Sequence, residues 1–243
     1  MKRTLFAFCC FSLLALSPSV VLAQISEQEL AEGFVPIFNG QNLTDWEGCS
    51  NIWRVEDGVI IGQTTAEGSA RITYNHFLVW TGGEVDDFVL RFDMKICRAG
   101  NSGMQYRSWK NPDPNRPHSV FGYQADFDGE HRFTGILFGE GFRGILCLRG
   151  QKTVIGNDAR PIQISRFADS DVLRDKLKFE DWNAYEVIAK DFTFTNIING
   201  YVMSICTDED VERRRASGIL AIQAHTGPPM KVEVRNIRLK RLK

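Results

Sequence analysis

Phe88-Val89-Leu90-Arg91-Phe92-Asp93-Met94-Lys95-Ile96 alternates without a break. Phe88, Leu90, Phe92, Met94 and Ile96 fall on one side, and Val89, Arg91, Asp93 and Lys95 on the other. Successive side chains of an extended chain point to opposite faces, so this period of two marks a strand with one buried and one wet face. Shorter strand-like runs flank it at Trp53–Val55, Val59–Gly62, Gly103–Ser108, Gly122–Phe127, Ile145–Leu148, Tyr185–Lys190, Ile197–Ile198, Val202–Ile205, Ile219–Ala224 and Val232–Leu239. Turn signals punctuate them: Glu56-Asp57-Gly58, Thr81-Gly82-Gly83, Asn199-Gly200 and Gly227-Pro228-Pro229. Asn199-Gly200 between two apolar runs is the strongest of these, because both residue types accept the positive φ of a tight hairpin turn. A short helix is expected at Ser26–Glu32, with Ser26 as cap and Glu29 in the capping-box position. Helical periodicity is otherwise nearly absent, so the chain reads as an all-β sandwich or barrel. The exception is Arg149 to Glu180, polar and weakly alternating, which is expected to run as a long loop over one face.

The first residues bear on the compartment. Lys2 and Arg3 precede an apolar run from Leu5 to Leu16, and Val21-Leu22-Ala23 places small or β-branched residues where a signal peptidase cuts. Residues 1–23 are expected to be a secretory signal peptide, leaving Gln24 as the new N-terminus of a secreted or periplasmic protein. The apolar run is too short for a membrane span and Pro18 interrupts its end, so no membrane insertion is expected after cleavage. Phe8 before Cys9 does not fit a lipoprotein signal. The remaining residues, 24–243, fit one β-sandwich domain. The 29 basic and 30 acidic residues nearly cancel, which excludes the electrostatic footprint of a nucleic-acid binder. Arg213-Arg214-Arg215 follows Asp208, Glu209, Asp210 and Glu212 and reads as mixed, solvated surface. Cys49, Cys97, Cys147 and Cys206 are widely spaced with no CxxC, which favours buried free thiols or one structural bridge over a zinc or redox motif.

Several familiar motifs are absent or are decoys. Gly139-Glu140-Gly141-Phe142-Arg143-Gly144 matches GxGxxG, but strand-like Ile145–Leu148 follows where a dinucleotide site needs a helix. No GxSxG or HExxH occurs, and His76, His118, His131 and His225 are scattered without metal-ligand spacing. Asp126-Phe127-Asp128-Gly129-Glu130 has too few ligands at calcium-loop spacing and reads as a solvated turn. Neither a metal nor a cofactor is expected. More informative are polar residues set inside strand patterns: Gln105 with Arg107, Gln124 with Asp126, and Gln223 with His225, each two apart and so on one face. Three such strands side by side would line a groove with guanidinium, carboxylate, amide and imidazole, although a merely solvated sheet face has the same pattern.

The same segments carry a family resemblance. Phe34-Val35-Pro36-Ile37-Phe38-Asn39-Gly40 with Leu43-Thr44-Asp45-Trp46, then Trp53–Ile60, Asn101–Arg107, Gly122–Asp126, Gly218–His225 and the closing Val232–Lys240 stand in the order found in the 3-keto-disaccharide hydrolase family, which the chain resembles from about Phe34 to its end. The resemblance implies a concanavalin A-like jelly-roll β-sandwich of two antiparallel sheets and a carbohydrate substrate whose C3 hydroxyl is already a ketone. Such a ketone acidifies the C2 hydrogen, so a base forms an enolate, the C1 oxygen leaves by β-elimination, and water adds back. That route needs a base and an enolate donor rather than the paired carboxylates of ordinary glycosidases. On this resemblance His225 or Asp126 is the expected base and Arg107 the enolate or sugar anchor. Asn101, Gln124 and Gln223 are expected to bind hydroxyls, with Glu140 in reserve. Where relatives often carry Glu after Gly-Tyr this chain has Gln124, which removes one candidate base. The alternative is a non-catalytic carbohydrate-binding module, for which Trp109 or Trp182 would supply the stacking platform.

Overall fold

The computed structural model describes residues 25–242, so the expected leader and Gln24 lie outside the described residues. The chain opens with helix α1 (Glu27–Ala31) and strands β1 (Val35–Pro36), β2 (Trp46–Glu47), β3 (Trp53–Glu56), β4 (Val59–Gln63) and β5 (His76–Trp80). Then come β6 (Phe88–Ile96), β7 (Asn101–Lys110), β8 (Val120–Asp128), β9 (Leu137–Glu140), β10 (Gly144–Cys147), β11 (Gln151–Ile155) and β12 (Pro161–Arg166). Helix α2 (Ser170–Arg174) precedes β13 (Asn183–Lys190), β14 (Thr193–Ile198), β15 (Tyr201–Asp208), β16 (Ile219–Ala224) and β17 (Lys231–Arg241).

These strands make a two-sheet, all-β sandwich of jelly-roll type. The larger sheet is ordered β12-β11-β15-β14-β13-β6-β17-β4-β3 with β1 added on β17, and the smaller is β10-β9-β8-β7-β16-β5-β2. Neighbours in the smaller sheet are all antiparallel, whereas β11 meets β15 in parallel. Strand β6 sits centrally, and its five apolar positions are the buried ones. They pack against Met104, Tyr106, Tyr123, Ala125, Phe127, Leu220, Ile222 and Ala224 of the smaller sheet in one hydrophobic cluster. By alternation, Gln105, Gln124 and Gln223 face away from that core.

Local chemistry accounts for the joints. Ser26 Oγ accepts the Glu29 amide at 3.1 Å, while the Glu29 carboxylate accepts from Arg91 at 3.1 Å and Arg238 at 3.0 Å, holding α1 on β6 and β17. Asn199 and Gly200, at φ 51° and 81°, turn β14 into β15 as expected. The GxGxxG stretch is the β9–β10 hairpin. Residues 149–180 depart from expectation: they hold β11, β12 and α2 and extend the larger sheet rather than looping over a face. The buried positions of β11 include polar Gln151 and Thr153, and this hides the period of two. Strand β5 escapes a period-two reading because Phe77, Leu78, Val79 and Trp80 are all buried, leaving no wet face. Cys49, Cys97, Cys147 and Cys206 are all free thiols.

One irregularity overturns a sequence expectation. The register of β7 shifts between Tyr106 and Trp109 on the β8 side and opposite Ile219–Ala221 on the β16 side. Arg107 occupies the bulge with φ 45°. The extra residue breaks alternation, so Ser108 takes the outward position and its Oγ donates to Gln105 Oε1 at 2.7 Å. Arg107 therefore leaves the face it was expected to share with Gln105. Its guanidinium is fully buried, donating to Asp86 O (2.8 Å), Asp191 O (2.5 Å), Arg215 O (3.2 Å) and Asp87 Oδ1 (2.7 Å). Across the bulge Gly122 adopts φ 147°, and a Cβ there would stand 2.6 Å from Ser108 Cα. Gly122→Ala is expected to lower stability by about 2–4 kcal/mol through backbone strain and overpacking. Urea denaturation would measure it, and a loss under about 0.5 kcal/mol would mean that the bulge relaxes freely.

Candidate functional site

The outward face of the smaller sheet carries a row of hydrogen-bonded amides. Ser108 Oγ donates to Gln105 Oε1, Gln105 Nε2 donates to Gln124 Oε1 at 2.8 Å, and Gln124 Nε2 donates to Asp126 Oδ1 at 2.7 Å. Strand pairing explains the order, since Gln105 lies opposite Gln124 and Gly103 opposite Asp126. Gly103 is required there because a Cβ would stand 2.5 Å from Gln124 Cγ and 2.8 Å from Ala125 O. Over this floor opens a cavity of about 430 Å³ lined by Asn101, Gln124, Asp126, Glu140, Gln223 and His225, with Asn75, Phe133, Ile136 and Phe138 among its walls. That volume is in the range of small-molecule sites, about 300–1,000 Å³.

The sheet curls to form the walls. Glu140 on β9 and Asn75 just before β5 are four strand steps apart, about 19 Å in a flat sheet. Yet Asn75 Nδ2 donates to Glu140 Oε1 at 2.9 Å. Asn75 Oδ1 also accepts the Thr226 amide at 2.9 Å, so one side chain ties Glu140 to the segment after β16 and closes one rim. The other rim is built by Asp128, whose carboxylate accepts the amides of Arg132, Phe133 and Thr134 at 3.1, 2.7 and 2.9 Å. Buried Arg149 donates to the carbonyls of His131 and Thr134. The 126–130 stretch is therefore a buried anchor and not the solvated turn its composition suggests.

Electrostatics single out Asp126. It is 5 % exposed, and its pKa is pushed up to about 8 by burial, with Asp128 and Glu140 adding to the rise and the Gln124 amide opposing it. At neutral pH the group mostly keeps its proton. Across the cavity, His225 Nδ1 contacts the Thr226 carbonyl. A carbonyl only accepts, so Nδ1 is a protonated nitrogen, and in the neutral ring Nε2 is the one that bears the lone pair. Two buried polar atoms on the lining lack partners, Asn101 Oδ1 and Gln223 Nε2, which leaves one acceptor and one donor for a ligand.

Of the residues singled out from sequence, the structure gathers Asn101, Gln124, Asp126, Glu140, Gln223 and His225 in one cavity, and excludes Arg107. Neither tryptophan supplies a platform there. Trp109 packs against Phe121, Phe142 and Arg215, and Trp182 lies under Arg235 and Lys95. The apolar wall instead comes from Phe133, 41 % exposed, and Phe138. Phe133 lay outside every strand pattern, and Asn75 had no signal beyond its residue type. The histidines are not all scattered in space. His76 and His118 have ring centroids 5.1 Å apart and, with Cys49, form the one group of three potential metal ligands among the described residues. His131 is a buried packing residue, with Nδ1 3.1 Å from Thr134 Oγ1 and its ring against Phe179.

A jelly-roll sandwich with a carboxyl, an imidazole and unpaired amides around a small cavity defines a binder or converter of polar small molecules. The match to the 3-keto-alpha-glucoside-1,2-lyase-like domain spans residues 33–240, and the chain belongs to that family. Among solved structures it is similar to a candidate glycosyl hydrolase of Parabacteroides distasonis ATCC 8503, with 20 % identity, 90 % of this chain and 99 % of that one covered, and a TM-score of 0.58. A second candidate glycosyl hydrolase from that organism matches at 14 % identity, with 86 % and 99 % covered and a TM-score of 0.56. A Bacillus subtilis protein of unknown function with a galectin-like fold matches at 12 %, with 82 % and 90 % covered and a TM-score of 0.54. No curated protein matches the chain. These likenesses establish the fold, and family membership ties the chain to carbohydrate chemistry.

Asp126 makes a prediction about stability. Its carboxyl titrates near 3.9 in the unfolded chain and at about 8 in the fold. Below pH 4 both states hold the proton. Between about pH 4 and 8 the unfolded state alone releases it, so stability falls as pH rises, by up to about 1.4 kcal/mol per unit. Asp126→Asn keeps the acceptor for Gln124 and removes the slope. The variant is expected to be more stable than the parent, by a margin that widens from pH 5 to pH 8 in urea denaturation. Parallel curves would show that Asp126 is ionised in the fold.

Proposed function

We propose that this protein cleaves glycosides whose C3 is a ketone, by removing the C2 proton and expelling the C1 substituent. The reading rests on one observation above the others. A carboxyl whose pKa burial raises, an imidazole held through Nδ1 and an unpaired amide donor line one cavity, in a chain of the 3-keto-alpha-glucoside-1,2-lyase-like family. His225 Nε2 takes the C2 proton, and the electron pair of the C–H bond forms C2=C3 with the charge on the C3 oxygen. Gln223 Nε2 donates to that oxygen, in the role first expected of Arg107. The enolate then collapses: C3=O reforms, C1=C2 forms, and the C1–O bond breaks as Asp126 protonates the departing oxygen. Asn101 Oδ1 accepts from a sugar hydroxyl, and Phe133 gives the ring an apolar face. If the product leaves at this stage the enzyme is a lyase, whereas water adding across C1=C2 makes the net reaction a hydrolysis. With the leader expected over 1–23, the substrate is met outside the cytoplasm.

The test is cleavage of chemically prepared 3-keto-glucosides beside their unoxidised parents, following the released alcohol. Only the ketones are expected to react, and in deuterated water unreacted substrate should acquire deuterium at C2 when proton removal is reversible. His225→Asn and Asp126→Asn should each lower kcat/KM by about 10²–10⁴-fold, while Trp182→Ala should leave it unchanged. Saturable binding of both sugars without cleavage of either would replace this reading with a carbohydrate-binding module.

A further inference from the structure

Outside the cavity, three segments distant in sequence converge at the start of β5. Cys49 heads the turn after β2, where its carbonyl accepts the amides of Ile52 and Trp53 at 2.9 and 3.0 Å. His76 opens β5, and the loop between β7 and β8 reaches the same place, where the His118 carbonyl accepts the Phe77 amide at 2.9 Å. Backbone bonds therefore hold Cys49 and His118 in place, independent of their side chains. The thiol of Cys49 is free, and the ring atom His76 Nδ1 is buried with no hydrogen-bond partner. One ligand atom from each of Cys49, His76 and His118 lies within 4.8 Å of the other two.

We propose that Cys49, His76 and His118 bind a divalent transition-metal ion, zinc foremost. A tetrahedral centre with Zn–S of about 2.3 Å and Zn–N of about 2.0–2.1 Å brings its ligand atoms to about 3.3–3.6 Å from one another. The present spacing, within 4.8 Å, exceeds that by no more than about 1.5 Å. One thiolate with two imidazoles selects zinc, cobalt or copper over calcium or magnesium, which prefer oxygen. Metal binding gives the orphaned His76 nitrogen a partner and ties the 111–119 loop to the Cys49 turn. The effect reaches the cavity through one residue: Asn75, next to His76 in the chain, holds Glu140 and the Thr226 amide. The site is a clamp behind the cavity wall, and its existence does not depend on the reaction proposed above.

The experiment uses chelator-treated mature protein titrated with Co²⁺. One equivalent is expected to produce visible bands of a tetrahedral centre with a thiolate-to-cobalt transition in the near ultraviolet, and Zn²⁺ should displace it. Cys49→Ser should abolish the thiolate band, and His118→Asn should weaken Co²⁺ binding at least tenfold. In the unaltered protein, Zn²⁺ should slow alkylation of Cys49, mapped by mass spectrometry, while Cys97 reacts at its former rate. This last readout needs no variant to fold. Absence of cobalt bands, equal alkylation of Cys49 with and without Zn²⁺, or cobalt binding indifferent to both substitutions would each overturn the proposal.

Discussion

The β-bulge at Arg107 decides what kind of site this sandwich holds. Without it, period-two alternation would set a guanidinium on the outward face two residues from Gln105, beside the amide row that ends on Asp126. An adjacent arginine holds a carboxylate ionised. The bulge instead sends Arg107 to the end of the sandwich, where Asp87 and three carbonyls consume its donors. It leaves Ser108 in its place. The cavity floor is then built from neutral amides, and burial becomes the dominant influence on Asp126. Gly122 permits this geometry because no other residue both reaches φ 147° without strain and clears Ser108.

From that floor the walls follow by a few directed bonds. The inward stack of Tyr106, Tyr123 and Phe194 backs the strands whose outward residues line the cavity. Tyr185 reaches across from the larger sheet to donate to the Asp126 carbonyl at 3.0 Å, so the backbone under the acid is fixed from the core side. Asp128 and Arg149 shape the loop that presents Phe133, and Asn75 closes the opposite rim onto Glu140. Each of these residues acts on the ligand surface through a neighbour, and a cavity defined to within fractions of an ångström requires such support.

The fold was legible because its determinants are local. The β6 alternation, the Asn199-Gly200 turn and the Ser26 cap each specify their own element, and all three appear as read. Elements whose burial breaks the pattern were not legible: β5 is apolar on both faces, and β11 puts Gln151 and Thr153 inside. The site divided along the same line. Gln124 with Asp126 and Gln223 with His225 share a face by simple alternation, and they line the cavity. Arg107 did not, because a bulge depends on pairing with Gly122 and Ile219–Ala221, residues far away in sequence. Asn75, Phe133 and the Cys49–His76–His118 group are likewise products of curl and loop path, which no spacing along one strand encodes.

The cavity is a liability to the fold, and that bears on what it is for. An unpartnered buried donor or acceptor costs about 1–3 kcal/mol, and Gln223 Nε2 and Asn101 Oδ1 are both in that condition. Asp126 adds the work of keeping a carboxyl protonated well above its ordinary range. Against a net stability of about 5–15 kcal/mol, apolar replacements at these positions would be an inexpensive improvement if the face had only to be covered. The three groups differ in kind: an acceptor, a donor and a transferable proton. Repulsion among like charges is not what they share. Their common feature is unused hydrogen-bonding capacity on residues that line one cavity, and a ligand rich in hydroxyl and carbonyl oxygen would match it.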